Sequence, residues 1–564
     1  MENIGTITKL LFPRSLPKVA ELENKYPLRK LQEGAMVTRI APSPTGFMHI
    51  GGLYTALISE RFAHQTKGIF YLRIEDTDRK REVDGASILI SKSLYQYGIK
   101  IDEGIGINGK DFGSYGPYKQ SRREEIYKAV IKSLLERGSA YPCFCTPQEL
   151  EDIRHRQEAQ GSRLGYYGPW AKWRDKSVQE ISQAILEKKP YTIRFKSNGD
   201  FKNKVVIRDE LLGTKEFREN DQDIVILKSD GLPTYHMAHV IDDHFMRTTH
   251  VIRGDEWLSS LPLHLQLFES MEWEPPHYAH ISPIQKVEGL SKRKLSKRKD
   301  PESNVEYYDQ QGYPNSAILE YLLNLANSNF EDWRKANSEA SIYKFILTFD
   351  RLKNSNGAIF DFDKLNDISK EIISGYSPES AYNNMLKWAK QHDVSFARLL
   401  EQNPDYSKNI IGIERSGDAR RRKDLATWAE AREGMAFFFD ENFSLMKKDL
   451  DDKLSDFTKE NVNNVIQLFM ADYVERDTKQ EWFDKLKNIA GKNNYAESTK
   501  EYKNNPGIYR GNIADVARIF RVALTGMTQT PDLYSIMQVM GTDRVLSRLS
   551  SVISVGSRNE KNHP

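Results

Sequence analysis

The stretch from Met36 to Ile74 constrains this chain more than any other. Met36-Val37-Thr38-Arg39-Ile40 is a short β-prone run. Ala41-Pro42-Ser43-Pro44-Thr45-Gly46 breaks it with two prolines and a glycine. Gly51 and Gly52 follow, then the helix-prone run from Tyr54 to His64, then a second buried-strand pattern at Ile69-Phe70-Tyr71-Leu72-Arg73-Ile74. Strand, glycine-rich turn, helix and strand in that order predict a βαβ unit and therefore a parallel sheet.

Later segments say how the sheet continues. Residues 121–160 read as helical with long charged runs. Val205-Val206-Ile207, Ile224-Val225-Ile226-Leu227 and Val251-Ile252-Arg253 return to strand character. A sheet that begins, is interrupted by a long insertion and then resumes is the expected architecture. From about 315 onward the reading is mostly helix: Ile318, Leu322 and Leu325 share one helical face, as do Ile513, Val516, Phe520 and Ala523. The leader, residues 1–35, is interrupted by Pro13, Pro17 and Pro27 and shows no clear period.

Composition sets outer limits. At 564 residues the chain has room for about three to five domains. Lys and Arg number 82 against 79 Asp and Glu, a net charge of +3, which excludes a uniformly basic protein but not one with a localised basic face. With two cysteines, Cys143 and Cys145, neither a disulfide scaffold nor a four-cysteine zinc site is available. No apolar stretch approaches the ~20 residues that span a bilayer. The Leu10-Leu11-Phe12 patch is too short for a secretory signal, and Glu2, Glu21, Glu23 and Glu33 argue against a transit peptide. A cytoplasmic protein with no membrane partner is expected.

Two constellations carry chemistry. Gly46-Phe47-Met48-His49-Ile50-Gly51-Gly52 lies between strand and helix. Its glycines permit close backbone approach to phosphates, and the helix N-terminus offers unpaired N–H groups to an anion. Taken alone, it is equally an ordinary βα turn with a structural histidine. Gly289-Leu290-Ser291-Lys292-Arg293-Lys294-Leu295-Ser296-Lys297-Arg298-Lys299 is a dense basic loop with two serines, suited to clamping a polyphosphate. Taken alone, it is more commonly a solvated basic loop, and a localisation-type patch is a further alternative.

Together the two are more specific. A glycine-rich histidine turn on the first strand and a Lys-Leu-Ser-Lys-Arg loop after the last resemble the signature motifs of class I aminoacyl-tRNA synthetases. Thr38 to Gly46, Arg73-Ile74-Glu75-Asp76-Thr77-Asp78, Gly116-Pro117-Tyr118-Lys119-Gln120-Ser121 and Val251-Ile252-Arg253-Gly254-Asp255-Glu256-Trp257 narrow the match, and their order is similar to that of bacterial-type glutamyl-tRNA synthetases. The resemblance is strong from about 36 to 325 and continuous through the tail, where Leu524-Thr525-Gly526 is similar to the family's C-terminal end. It leaves the leader unaccounted for. It implies an α/β fold: a Rossmann-type parallel-sheet catalytic domain with an inserted acceptor-binding domain, followed by an all-helical anticodon-binding region. The boundaries expected are 1–35 for the extension, 36–122 and 224–300 for the two catalytic halves, 123–223 for the insertion, 301–375 for a stem-contact helical domain and 376–564 for the anticodon-binding region.

The resemblance also implies a reaction, in which the α-carboxylate of L-glutamate attacks the α-phosphate of ATP and a ribose hydroxyl at the tRNA 3′ end then attacks the adenylate. Such chemistry needs charge stabilisation more than a protein nucleophile. It assigns catalysis to His49, Lys294 and Lys297, and ATP binding to Gly46, His49, Gly51, Gly52, Ser296, Lys297 and Arg298, with Mg²⁺ accompanying the nucleotide. It assigns glutamate binding to Arg39, Ala41, Ser43, Glu75, Tyr235 and Arg253. The guanidinium forks of Arg39 and Arg253 suit carboxylates, and Glu75 suits the ammonium. Asp76, Asp78, Asp242 and Asp243 are expected to orient loops. His239 departs from the family, which often has Asn or an apolar residue there. The pattern Lys, apolar, Ser, Lys, Arg is met in full by 294–298, whereas 289–293 begins with Gly289, so Lys297 is favoured over Lys292.

No zinc and no other protein-bound metal is expected, because Cys143-Phe144-Cys145 has no third cysteine nearby and His155 lies on a charged stretch. In the tail, Arg420, Arg421, Arg422 and Lys423 are the expected tRNA contacts, with Trp428 as a stacking platform. The expected partners are tRNA for glutamate and L-glutamate, the chain acting as a monomer. Whether tRNA for glutamine is also charged stays open. Glutaminyl-tRNA synthetase is the nearest rival, but that family has a β-barrel anticodon region. An adenylate-forming ligase for small molecules would not need the tail, and a non-catalytic paralogue should have lost His49, Glu75, Arg253 or Lys297.

Overall fold

A computed structural model describes residues 4–352, 358–415, 421–505 and 507–558. Two compact units emerge, one of residues 1–308 and 318–362, the other of 309–317 and 363–564.

The first unit is organised on parallel strands. Val37–Ile40 pairs in parallel with Ile69–Leu72, and His250–Gly254 pairs in parallel with His277–Ile281. The two pairs are joined where Thr249 donates its N–H to the Val37 carbonyl at 3.0 Å and its hydroxyl accepts from the Val37 N–H at 2.8 Å. Beyond Ile69–Leu72, the Leu72 N–H bonds the Glu103 carbonyl. Strands buried on both faces need continuous apolar or paired side chains, and every residue of Val37–Ile40 is buried. The connecting helix Ile50–Gln65 is buried around most of its circumference for the same reason, sandwiched rather than laid on a surface. Gly68 makes the return possible: a Cβ there would sit 1.8 Å from the Met36 carbonyl oxygen.

Between the two strand pairs runs a separate antiparallel sheet, with Thr192–Phe195 flanked by Ala140–Cys143 and Val225–Leu227. The hairpin Lys204–Asp209 and Gly213–Arg218 is a further antiparallel element. The span 121–160 is therefore not continuously helical: helices Glu124–Glu136 and Pro147–Ala159 enclose the strand Ala140–Cys143. Likewise, Val205–Ile207 and Val225–Leu227 belong to these antiparallel elements, and the parallel sheet resumes only at His250.

The leader is ordered structure rather than a tail. It forms helices Ile4–Leu11 and Val19–Lys25, and Ile7, Leu22 and Tyr26 are buried. Tyr26 donates its hydroxyl to the Gly116 carbonyl at 2.9 Å, Arg29 makes a two-pronged bond to Glu103 (2.9 and 2.8 Å), and Glu23 pairs with Arg247 and His244. Its prolines set the joints between the helices and hide any single period.

The regular elements of the second unit are helices. Their apolar faces converge on one core that includes Met385, Val465, Phe469, Phe520 and Leu549, with the Phe469 and Phe520 ring centroids 4.5 Å apart. Arg548 ties the last helix in by donating to the carbonyls of Phe437 and Leu524, each at 2.7 Å.

Candidate active site

In an open parallel sheet, ligands bind beyond the carboxyl ends of the strands where the strand order reverses. Here that point lies between Ile40 and Gly254. Two cavities open there. One, of about 420 Å³, is lined by His49, Gly51, Gly52, Lys294 and Lys297. The other, of about 1060 Å³, is lined by Arg39, Ala41, Ser43, Glu75, Tyr235 and Arg253. Thr55 and Gly254 line both, so the two adjoin. Neither set is local in sequence, and the strand ends bring each together.

The histidine turn owes its shape to Pro42 and Pro44, which end the first strand, and to Gly46, which takes φ +111°. His49 then caps the helix, its Nδ1 accepting the Gly51 N–H at 2.9 Å. That leaves the proton on Nε2, and the ring bonds the backbone of Leu295 in the basic loop. Burial pushes the His49 pKa down to about 4; the Leu295 bond opposes this and the charges of Lys297 and Lys294 reinforce it. At neutral pH, His49 is an uncharged donor.

The basic loop is held from its own C-terminal side. Strands Ile284–Glu288 and Ser291–Lys294 form a hairpin. Arg293 makes a two-pronged bond to Asp300 (2.6 and 2.9 Å), and Asp300 also accepts the Ser296 N–H at 2.9 Å. Asp300 thus fixes the chain on both sides of Lys294 and Leu295. Lys297 donates its ammonium to the Phe47 carbonyl at 3.0 Å, and partial desolvation lowers its pKa. Lys294 pairs with Glu256 at 3.0 Å. Lys292 is exposed on the hairpin, opposite Val287, and lines neither cavity. Gly46, Ser296 and Arg298 shape the turn and loop but also line neither.

The larger cavity has a charged back wall. Arg73, fully buried, donates to Asp243 at 2.6 Å and to Glu75 at 2.9 Å, with Asp242 3.7 Å away. Asp242 accepts from Arg123 (2.6 Å), Gln120 (2.8 Å) and Tyr127 (2.9 Å). Burial alone would raise the Asp243 pKa, but Arg73 and Arg39 hold it well below the usual carboxylate range. Burial raises the pKa of Glu75 and Arg73 opposes the rise. Arg39 lies 3.5 Å from Asp243. Asp76 accepts the Ser121 N–H at 2.7 Å and Asp78 pairs with Arg81, so these two hold loops.

Arg253 is set differently. Its Nε donates to His280 at 2.9 Å, its Nη2 to His264 and to the Trp257 carbonyl at 3.3 Å each, and its Nη1 lies 3.5 Å from His239. Burial lowers the pKa of all three histidines, that of His239 to about 3. Tyr235, at the start of helix Tyr235–Phe245, stacks on Trp257 with centroids 4.0 Å apart. His239 has no place on the cavity wall; it sits behind it. Sequence reasoning missed Thr55, Leu295, His264 and His280. The turn signal Ser282-Pro283 marks the strand end beside His280 and could have found that one.

Elsewhere, the Tyr166 hydroxyl lies 3.4 Å from both Cys143 and Cys145 sulfurs. Among the described residues, no group of three or more His, Cys, Asp or Glu is arranged to hold a metal. In the helical unit, Arg420 lies outside the described residues. Arg421 is exposed, Arg422 pairs with Asp424 at 2.7 Å and Lys423 pairs with Glu371. Trp428 is not a surface platform: it is buried, stacks with Tyr376 and packs over Gly312, whose carbonyl accepts the Trp428 N–H at 3.1 Å. The apolar area of an indole is worth more in a core than beside a basic run.

Residues 35–367 match the family described as tRNA synthetases class I (E and Q), catalytic domain, and residues 419–553 match the anticodon binding domain. Fold, site and matches together define a class I aminoacyl-tRNA synthetase. The glutamate–tRNA ligase of Clostridium perfringens (strain 13 / Type A) is 48% identical over 544 residues, spanning 96% of this chain and 99% of its own. That of Acetivibrio thermocellus is 44% identical, spanning 97% and 99%. The crystal structure of glutamate–tRNA synthetase from Elizabethkingia anophelis has a TM-score of 0.71 at 27% identity, covering 92% of this chain and 100% of that one. The chain belongs to the glutamate–tRNA ligase family.

Proposed function

We propose that the protein attaches L-glutamate to the 3′ end of tRNA for glutamate through a glutamyl-adenylate, consuming ATP and releasing AMP and pyrophosphate. The observation that carries this reading is the junction of the two cavities at Thr55 and Gly254. One is walled by cations and helix-turn N–H groups suited to a triphosphate, the other by guanidinium groups and a carboxylate suited to an amino acid with two carboxylates.

In this reading, Arg39 and Arg253 bind the carboxylates of glutamate, Glu75 pairs with its ammonium, and Tyr235, Ser43 and the Ala41 backbone complete the contacts. The ATP phosphates lie over the turn at Gly46, Gly51 and Gly52. Neutral His49 exchanges its Nε2–H bond to the Leu295 backbone for one to a phosphate oxygen, and Lys294 and Lys297 stabilise charge on the α-phosphate and the departing pyrophosphate. Ser296 and Arg298 act at the edge of the nucleotide, the loop moving from its position against Phe47. Mg²⁺ is expected to arrive with ATP. Glu256 is the carboxylate lining that cavity among the described residues, and Lys294 engages it, so the ion would keep its ligands on phosphate and water.

The inserted segment 123–223 is assigned to the tRNA acceptor end, 301–375 to the stem and 376–564 to the anticodon, with Arg420, Arg421, Arg422 and Lys423 as phosphate contacts. No helix of the described residues is long and apolar enough to cross a membrane. We infer a cytoplasmic monomer. Incubation with ATP, [¹⁴C]glutamate and purified tRNA for glutamate or for glutamine tests the reading. Label on tRNA for glutamate alone marks a discriminating enzyme and label on both a non-discriminating one. Label on neither overturns the proposal.

A further inference from the structure

Three buried guanidinium groups, Arg39, Arg73 and Arg253, stand at or behind the wall of the amino-acid cavity and are compensated unequally. Arg73 faces Glu75, Asp242 and Asp243, and Arg39 shares Asp243. Arg253 is as buried as Arg39, yet among the described residues no carboxylate comes within ion-pairing distance of it. Its acceptors are imidazole nitrogens and one backbone carbonyl.

Hydrogen bonds fix the tautomers of His280 and His264, and a charge contact sets that of His239. His280 turns Nδ1 to Asp209 at 2.6 Å, which places its proton there and leaves the Nε2 lone pair for Arg253. His264 accepts from Arg253 through Nδ1, so its Nε2 carries the proton, directed at His236 Nδ1 at 2.9 Å. His239 Nδ1 lies 2.8 Å from Asp243, a charge contact outside hydrogen-bond geometry that favours the proton on Nδ1, and Nε2 faces Arg253 at 3.5 Å and the Tyr278 hydroxyl at 3.1 Å. Three rings thus present lone pairs to one cation. A carboxylate in any of these places would satisfy the same N–H groups but cancel the charge.

We infer that His239, His264 and His280 form an uncharged cradle that orients Arg253 without neutralising it, and act as positioning residues selecting a substrate carboxylate over an amide. The inference rests on the assignment of Arg253 to glutamate. A buried cation whose neighbours supply acceptors but no charge gains most from an incoming anion, and a neutral amide leaves it uncompensated. Asp209, Asp243 and His236 serve as the outer partners that hold each ring in its tautomer.

His264→Leu removes an acceptor at similar volume, while His264→Gln keeps one. The leucine variant is expected to raise the KM for glutamate roughly tenfold or more, the effect of losing one hydrogen bond to a charged group, with kcat and the KM for ATP within about threefold. The glutamine variant is expected to recover most of that loss. A rise below threefold in the leucine variant, or equal impairment of both variants, overturns the inference. If wild-type enzyme transfers no glutamate, the assignment of Arg253 fails instead. Nitrogen-15 spectra of histidine-labelled full-length wild-type protein decide independently, whatever the variants' folding. They should show neutral rings at pH 7.5, with the proton on Nε2 of His264 and on Nδ1 of His239 and His280. A doubly protonated ring at any of the three overturns the cradle.

Discussion

Lys297 donates its ammonium to the carbonyl of Phe47, 250 positions earlier, at 3.0 Å. That bond closes the basic loop over the histidine turn and sets Lys297 at the wall of the smaller cavity, while Lys292 of the twin Ser-Lys-Arg-Lys motif points away on the hairpin. If Lys297 stabilises the phosphate transition state, Lys297→Ala should lower kcat by on the order of 10²–10³, as loss of one preorganised donor does. Lys292→Ala should stay within about threefold. Steady-state pyrophosphate release by the two variants, side by side, checks this.

Glu75 lines the larger cavity and is held by Arg73 at 2.9 Å. Glu75→Gln keeps the shape and removes the charge that faces the substrate ammonium. The KM for glutamate should rise on the order of 10–100-fold, the cost of unpairing a buried charge, with the KM for ATP little changed. Initial rates at varied glutamate and saturating ATP measure it.

His64 sits between Glu60 (2.6 Å) and Asp102 (2.7 Å). Burial lowers its pKa, but the two carboxylates outweigh burial and raise it to about 9 from 6.5. A raised folded-state pKa stabilises the protein fully below the unfolded value of 6.5, and the contribution is lost as pH rises through about 9. The stability difference between wild type and His64→Gln should therefore shrink by about 3 kcal/mol between pH 6 and pH 10. Urea unfolding at the two pH values reads it.

Tyr26 anchors the N-terminal extension, buried and bonded to the Gly116 carbonyl. Tyr26→Phe should cost about 1 kcal/mol through the lost hydrogen bond. Tyr26→Ala should cost about 3–5 kcal/mol through the cavity as well. Denaturant titration followed by circular dichroism distinguishes the two.

What could be read in the sequence follows physical lines. The βαβ opening was legible because two prolines, a glycine and two apolar runs act locally. Part of each cavity lining was legible, Arg39, Arg253, Glu75, His49 and Lys297, because these residue types carry specific chemistry within recognisable motifs, whereas Thr55 and Leu295 carry no such signal. The antiparallel sheet of the insertion was not, because Ala140–Cys143 is four residues long and sits between two charged helices. Nor was the extension, whose two short helices draw their stability from partners such as Arg247 and Glu103 far along the chain. Trp428 shows the opposite error. Its nearness to a basic run in sequence suggested a surface role, but burial is decided by the helix face it occupies. The histidine cradle was invisible because its members come from separate elements and meet only around Arg253.

The role proposed for this site is to activate glutamate for transfer to tRNA. Transfer of labelled amino acid to purified tRNA for glutamate, with ATP and with either [¹⁴C]glutamate or [¹⁴C]glutamine, tests it most directly. ATP-dependent incorporation of glutamate, with glutamine at background, is the expected result. Incorporation of glutamine in preference to glutamate, or of neither, would contradict it.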